Sequence, residues 1–256
     1  KRSFDFKRQQ GMSTFVYFEA VNYEAKVYLN GTLVGEHTGG FTPFQFDITD
    51  LLKAEDNFLV VKVDNKRKRE AVPTVNTDWW NYGGITRSVH LVNVPETHIE
   101  DYSVRLSSDR KHIEGWVSLS SKRSGEKITL SIPELKLHEV NETDEQGRSQ
   151  FKFSAKPQLL APSDPKLYDV VLGTGNEAIK DKIGFRTIQT RGTEILLNGE
   201  CVFLKGISIH EEAPFKTGRV TSAEECKILL NWAKDLGCNF VRLAHYPHSE
   251  DMVREA

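Results

Sequence analysis

The sequence lacks the features that mark disulfide-rich, membrane-spanning or nucleic-acid-binding proteins. Its 256 residues include three cysteines, Cys201, Cys226 and Cys238. Their odd number and the absence of a CxxC spacing argue against a disulfide framework and a cysteine metal site, so we expect buried thiols. No apolar run approaches the ~20 residues that cross a bilayer, which predicts no membrane partner. A formal net charge of −2 provides no electrostatic attraction to nucleic acid.

Charge of one sign is concentrated only in the basic run Lys66–Arg69, which we expect in an exposed loop. The chain also begins without Met and without a signal-like apolar segment. We therefore expect the natural start of the protein to be missing, which leaves the compartment, cytoplasmic or periplasmic in a bacterium, undecided. The fractions of hydrophobic residues (38%) and charged residues (27%) are those of a globular protein, with a length sufficient for two domains.

Residues 1–94 are predicted to form a jelly roll or another antiparallel β-sandwich. β-branched and aromatic residues are concentrated in short runs, at residues 15–18, 25–29, 58–63 and 88–92. Asn30-Gly31 directly follows one of these runs and is a strong signal for a tight hairpin, because both residues tolerate a positive φ. Short strands separated by turns are typical of sandwich folds.

Residues 95–187 are predicted to form a small immunoglobulin-like sandwich that acts as a spacer. Six strand candidates follow one another at the spacing of such a fold: Tyr102–Leu106, Ile113–Leu119, Lys127–Ile132, Gln150–Ser154, Tyr168–Leu172 and Ile179–Phe185. The polar stretch Asn141–Arg148 between them indicates an exposed turn.

Residues 188–256 change to a β/α pattern. Val202–Ile207 and Asn239–Leu243 are predicted strands. Between them Ser222 and Glu225 form a capping box, which opens a helix whose apolar face is predicted to contain Ile228, Leu229, Trp232, Ala233 and Leu236. A second helix is expected after Ser249. Two parallel strands cannot close a barrel, so we expect this domain to be incomplete.

Polar side chains follow both predicted parallel strands, the position where such folds carry functional groups. His210, Glu211 and Glu212 follow the first strand, and Arg242 and His245 end the second. Together they would form a hydrogen-bonding floor for a polyhydroxylated ligand. The alternative is that these rim residues only satisfy one another. The spacing is not HExxH, which argues against a metal site.

A loop in the first region offers a second candidate. Asp78-Trp79-Trp80 combines an acceptor with two stacking faces, the usual means of holding a sugar, although paired Trp residues are often simply core. Asn22, at the end of a strand pair, fits a cap or turn residue.

The ordered set of these motifs resembles glycoside hydrolase family 2, which contains β-galactosidases and β-glucuronidases. The matching stretches are Phe18–Asn22, Val27–Gly31, Gly39–Phe44, Asp78–Arg87, Ile183–Arg186, Leu197–Gly199, Lys205–Glu211 and Val241–Pro247. The resemblance implies a jelly-roll sugar-binding domain (1–94, lacking its start), an immunoglobulin-like domain (95–187) and the first β/α units of a (β/α)8 TIM barrel (188–256).

The resemblance also implies a retaining mechanism with two Glu residues, about 5–5.5 Å apart. Neither can be assigned in this chain, because the matching motifs lie on later barrel strands, and Glu211 and Glu212 do not take these roles. The family's substrate-binding residues correspond to Asn22, Asp78, His210, Arg242 and His245. Asp78 also corresponds to a ligand of a monovalent cation, so Na⁺, or Mg²⁺, is expected in the full-length enzyme.

The expected substrate is a β-linked galactoside, since Asn22 with Asp78 favours galactose over other glycosides. A β-glucuronidase is the alternative within the family. Two other possibilities are a carbohydrate-binding fragment without catalysis and an oligomerisation arm, because a homo-oligomer is expected for the full-length protein. The chain alone is expected to be inactive.

Overall fold

A computed structural model describes residues 1–256, which form two compact units. Unit 1 contains Lys1–Asn93 and Leu204–Ala256, and unit 2 contains Val94–Phe203. This division into two units differs from the three predicted domains, and the predicted boundaries at 94/95 and 187/188 remain predictions. No helix has the length and apolar character needed to cross a membrane.

The first part of unit 1 is a β-sandwich, as predicted. Its strands are β1 (Arg2–Phe4), β2 (Met12–Phe18), β3 (Val21–Asn22), β4 (Glu24–Leu29), β5 (Thr32–Thr38), β6 (Phe44–Asp47), β7 (Asn57–Asp64), β8 (Gly84–Ile85) and β9 (Val89–Pro95). The sheets have the orders β1-β7-β4-β5, β6-β2-β9 and β3-β8. The alternating apolar residues of β2 and β4 build the core, in which Phe18 and Val27 are fully buried. Asn30 and Gly31 have φ angles of 52° and 88° and join β4 to β5, which confirms the hairpin.

The second part of unit 1 is a β/α segment. It contains β20 (Gly206–Ile209), α1 (Ala223–Asp235), β21 (Phe240–Leu243) and α2 (Glu250–Glu255), and β20 pairs with β21 in parallel. The prediction that β20 begins at Val202 was wrong. Residues 202–205 lie outside the ladder, Phe203 is 81% exposed, and pairing begins at Gly206, where an added Cβ would lie 2.4 Å from the Phe240 carbonyl oxygen.

The buried face of α1 also differs from the predicted one. Cys226, Leu229 and Ala233 are buried, whereas Trp232 and Leu236 are exposed. The capping box is modified as well. Ser222 Oγ accepts the Glu225 N–H at 3.3 Å, but the Glu225 carboxylate accepts the N–H of Thr221 instead of that of Ser222.

Unit 2 is an immunoglobulin-like sandwich followed by a small sheet. Its strands are β10 (Ile99–Leu106), β11 (His112–Leu119), β12 (Lys127–Ile132), β13 (Leu137–Glu142), β14 (Arg148–Ser154), β15 (Tyr168–Gly173), β16 (Ala178–Ile183), β17 (Ile188–Arg191), β18 (Glu194–Leu197) and β19 (Glu200–Cys201). The sheets β10-β11-β14 and β13-β12-β15-β16 enclose one core that includes Ile113, Ile132 and Phe185. The fold class is therefore mainly β, as the sequence predicts.

The three cysteines are free, but only one matches the expected buried thiol. Cys226 is buried, Cys238 is half-buried and Cys201 is exposed. Cys201 ends the short strand β19, which has a neighbouring strand on one side only. The basic run Lys66–Arg69 lies in an exposed loop, as predicted.

Candidate functional site

Unit 1 contains a polar cavity of about 540 Å³. One wall is the loop between β7 and β8, and the other is the loop that follows β20. The lining residues are Asp78, Trp79, Trp80, Tyr82, His210, Glu212, Lys216 and Thr217. The structure therefore places two of the predicted site residues, Asp78 and His210, at the same cavity.

Trp79 connects the two walls of the cavity. Its ring centre lies 5.0 Å from that of His245 and 6.2 Å from that of His210, and the two imidazole centres are 5.1 Å apart. Arg242 Nη1 lies 3.1 Å from His245 Nδ1. Because a guanidinium can only donate, Nδ1 accepts, and in the neutral ring the proton is on Nε2. His245 can therefore donate one hydrogen bond to a ligand.

Asn22 does not line the cavity, and neither do Arg242 and His245. Those two residues are exposed, whereas Asn22 is only 1% exposed. Its Nδ2 donates to Asn81 Oδ1 at 2.8 Å and to the Tyr82 carbonyl oxygen at 2.5 Å. Asn22 thus supports the wall loop from behind, and Gly40 provides the necessary space, since a Cβ there would lie 2.5 Å from Asn22 Oδ1.

Tyr82 is a cavity residue that the sequence analysis did not single out, although it lies within the matched stretch Asp78–Arg87. Its hydroxyl accepts the Gly218 N–H at 3.2 Å and lies 3.5 Å from Glu212 Oε2, to which it can donate. Burial raises the pKa of Tyr82, and the nearby Glu212 carboxylate adds to this effect. Tyr82 therefore links the two cavity walls as a neutral hydroxyl.

Lys216 brings a positive charge to the cavity wall but is held by α1. Its Nζ lies 2.7 Å from Glu225 Oε1 and donates to Thr221 Oγ1 at 2.9 Å. The hydrogen bond from Lys216 and the N–H of Thr221 lower the pKa of Glu225. No sequence motif marked this lysine.

A buried charged cluster lies next to the predicted site residues. Arg87 Nη2 and Glu211 Oε2 are 2.6 Å apart, with side chains 4% and 0% exposed. Arg219 is also buried, and its guanidinium lies 4.5 Å from the ring centre of Tyr246 and 4.9 Å from that of Phe41. None of its side-chain nitrogens has a hydrogen-bond partner. No local sequence pattern indicates this cluster, because Arg87 lies 124 residues before Glu211 in the chain.

The expected cation site at Asp78 remains a prediction. Asp78 is exposed, and the structure contains no group of three or more His, Cys, Asp or Glu side chains that could hold a metal ion. The donor set around Asp78 therefore does not form a divalent metal site by itself.

Two β-sandwiches followed by a β/α segment, with aromatic and polar side chains lining a cavity beyond the parallel strands, agree with the carbohydrate-active class of protein that the sequence motifs predict. Residues 2–95 match the sequence profile of the glycosyl hydrolases family 2 sugar binding domain, and residues 188–255 match that of the family 2 TIM barrel domain. The chain belongs to glycosyl hydrolase family 2.

Relatives with two activities are similar to this chain. A β-galactosidase of Thermoanaerobacter pseudethanolicus is 32% identical over 95% of this chain and 35% of its own length. A β-glucuronidase of Streptococcus agalactiae is 26% identical over 93% of this chain and 43% of its own. A Bifidobacterium dentium β-glucuronidase structure, complexed with coumarin-3-O-glucuronide, superposes with a TM-score of 0.87 and 26% identity, covering 99% of this chain and 49% of that one. The chain thus spans 35% and 43% of the length of these two curated relatives.

Proposed function

We propose that this chain is part of a retaining exo-glycosidase that hydrolyses terminal β-D-galactosides. The observation that carries the proposal is the meeting of Asp78, Trp79 and His210 at one polar cavity, with the His245 ring centre 5.0 Å from that of Trp79. Curated relatives named β-galactosidase support the choice of sugar. The second candidate activity is hydrolysis of a β-glucuronide. It is favoured by the names of the superposed structures and by Lys216, a cation on the cavity wall that could pair with the carboxylate of a glucuronide.

The residues present suit binding a sugar. The Asp78 carboxylate would accept hydrogen bonds from hydroxyl groups, and His245 Nε2 would donate one. The exposed ring of Trp80 offers an apolar face for stacking. Arg242 fixes the tautomer of His245 and would also orient the nucleophilic carboxylate of the reaction.

The chain does not supply the two carboxyl groups that a retaining mechanism requires. Glu211 is fully buried in its ion pair with Arg87, and Glu212 lies within hydrogen-bonding distance of Tyr82. We therefore propose that the 256-residue chain binds sugar without cleaving it. A homo-oligomer of the full-length protein is proposed on the resemblance alone, and light scattering would test it.

The test is a titration of the chain with methyl β-galactoside and methyl β-glucuronide, followed by NMR. Asp78→Ala should weaken binding about 10- to 100-fold, the usual range for a hydrogen bond to a charged group. Asp50→Ala is the control, because Asp50 belongs to the same unit and its side chain is 92% exposed. Equal affinities of the two variants would contradict the site, and tighter binding of the glucuronide would favour the second candidate.

Hydrolysis of nitrophenyl glycosides tests the activity. No turnover is expected from this chain, whereas a longer gene product that contains it should hydrolyse the β-galactoside. Turnover by the chain itself would contradict the proposed division of roles.

A further inference from the structure

The Arg87–Glu211 ion pair lies where three segments with predicted site residues meet. Arg87 ends the stretch that begins with Asp78 and Trp79. Glu211 directly follows His210. Their contact at 2.6 Å joins the first two segments, which are more than a hundred residues apart in the chain.

The third segment is the loop between β21 and α2, which carries His245. The second carboxylate oxygen of Glu211 accepts the N–H of Ser249 at 2.5 Å. Arg87 Nη2 also donates to the Pro247 carbonyl oxygen at 2.6 Å. Both partners of the ion pair thus hold the backbone two to four residues after His245.

The ion pair cannot itself contact a ligand, because both side chains are almost completely buried. It is also difficult to rearrange, since separating the charges would leave a carboxylate unpaired in a medium of low polarity. Arg87 is held by a further hydrogen bond, because its Nη1 donates to the Phe41 carbonyl oxygen at 3.3 Å. A contact that is buried, rigid and shared by three segments fixes their relative positions.

We propose that Arg87 and Glu211 are positioning residues, which hold His210 and His245 at the distances from Trp79 that sugar binding requires. The proposal rests on the proposed function for its sugar-binding part. The competing explanation is a purely structural role, in which the ion pair adds stability but does not determine the geometry of the native site.

Ring-current shifts distinguish these explanations without any ligand. The indole of Trp79 should displace the imidazole proton resonances of His210 and His245, because the ring centres are 6.2 and 5.0 Å apart. Trp79→Ala gives the undisplaced reference. In Glu211→Gln we expect at least half of the displacement to be lost, while the amide spectrum of the β4–β7 sheet stays native.

The control removes an ion pair of the same length in the same unit. Lys26 Nζ and Glu36 Oε1 are also 2.6 Å apart, but their side chains are 45% and 52% exposed. Lys26→Met should leave the imidazole shifts at their wild-type values. If Glu211→Gln keeps the wild-type shifts and only unfolds more easily, the positioning role is refuted.

If Glu211→Gln does not fold, Arg87→Lys is the second variant that tests the positioning role. Lysine keeps the charge beside Glu211 but loses the planar fork that also reaches the Pro247 and Phe41 carbonyl oxygens. The His245 shift should then move more than the His210 shift. Wild-type shifts for both residues in this variant would overturn the proposal.

Sugar affinity provides the functional test. Glu211→Gln should bind methyl β-galactoside about 10-fold more weakly than Lys26→Met, the lower end of what loss of a supporting residue costs. Unchanged affinity together with changed shifts would overturn the proposal. If the wild-type chain binds neither glycoside, the proposed function fails, and the imidazole shifts alone decide the positioning role.

Discussion

The same substitution should destabilise unit 1 strongly at one buried arginine and only slightly at another. Arg87 pairs with Glu211, whereas Arg219 has no hydrogen-bond partner for any side-chain nitrogen. Arg87→Met leaves the Glu211 carboxylate buried with one remaining backbone donor. Removing one partner of a buried ion pair costs about 3–5 kcal/mol, a large share of the roughly 5–15 kcal/mol that stabilise a folded protein.

Arg219→Met leaves no charge behind. The substitution loses cation–π contacts with the rings of Tyr246, Phe41 and Tyr82, at 4.5, 4.9 and 5.7 Å. Each such contact contributes up to about 2 kcal/mol when desolvated. The loss is offset because three unpaired buried donor nitrogens disappear, each of which costs about 1–3 kcal/mol. Methionine also makes favourable contacts with aromatic rings. We therefore expect a change of at most about 1 kcal/mol in either direction.

Urea unfolding in a Trp116→Phe background measures both effects. Trp116 lies in β11 and is the tryptophan of unit 2, so the remaining tryptophans report on unit 1. Because Arg87→Met should cost at least about 3 kcal/mol, the two midpoints should differ clearly while the slopes stay equal. Losses of the same size for Arg87→Met and Arg219→Met would refute the reasoning that pairing decides the cost.

Three further outcomes follow from other parts of the molecule. Gly115→Ala should destabilise unit 2 by about 3 kcal/mol in urea unfolding, because the added Cβ would lie 1.8 Å from the Ser103 carbonyl oxygen. Gly175→Ala is the control and should be neutral or slightly stabilising, because its Cβ would have no neighbouring atom within 4 Å. Burial lowers the pKa of His248, so unit 1 should lose stability as the pH falls below about 6.5, the pKa of histidine in the unfolded chain. Between pH 7.5 and 5.5 the urea midpoint of His248→Gln should therefore change less than that of the wild type. The exposed Cys201 should be the first cysteine to react with an aromatic disulfide. Burial raises the pKa of Cys226 to about 11, so rapid labelling of Cys226 would contradict its buried position.

The fold could be predicted from local signals because those signals agree with the tertiary structure. β-branched and aromatic residues predict β2 and β4, and Asn30-Gly31 predicts the hairpin. Prediction was wrong where tertiary contacts decide. The apolar run after Val202 forms no strand before Gly206, and Trp232 points away from the core although it fits the helical period. β13 was missed because Leu137–Glu142 carries charged residues on a mostly exposed strand.

The candidate site was predictable only in part for the same reason. Motif positions indicated Asp78, His210 and His245, and the structure brings them close to Trp79. The buried position of Asn22 and the roles of Tyr82 and Arg219 depend on contacts between segments far apart in the chain. No local pattern encodes such contacts.

Unit 1 is discontinuous in the sequence, and this affects how the cavity forms during synthesis. Arg87 and the Asp78 loop leave the ribosome before all of unit 2, Val94–Phe203, and Glu211 follows only afterwards. At about 5–20 residues per second, translating the roughly 120 residues from Arg87 to Glu211 takes about 6–25 s. Throughout this interval Arg87 and Phe41 of the nascent sandwich lack the residues that they later contact, Glu211 and Arg219. The surface around Phe41 and Arg87 is therefore exposed to chaperones and to aggregation until the last part of the chain has been synthesised.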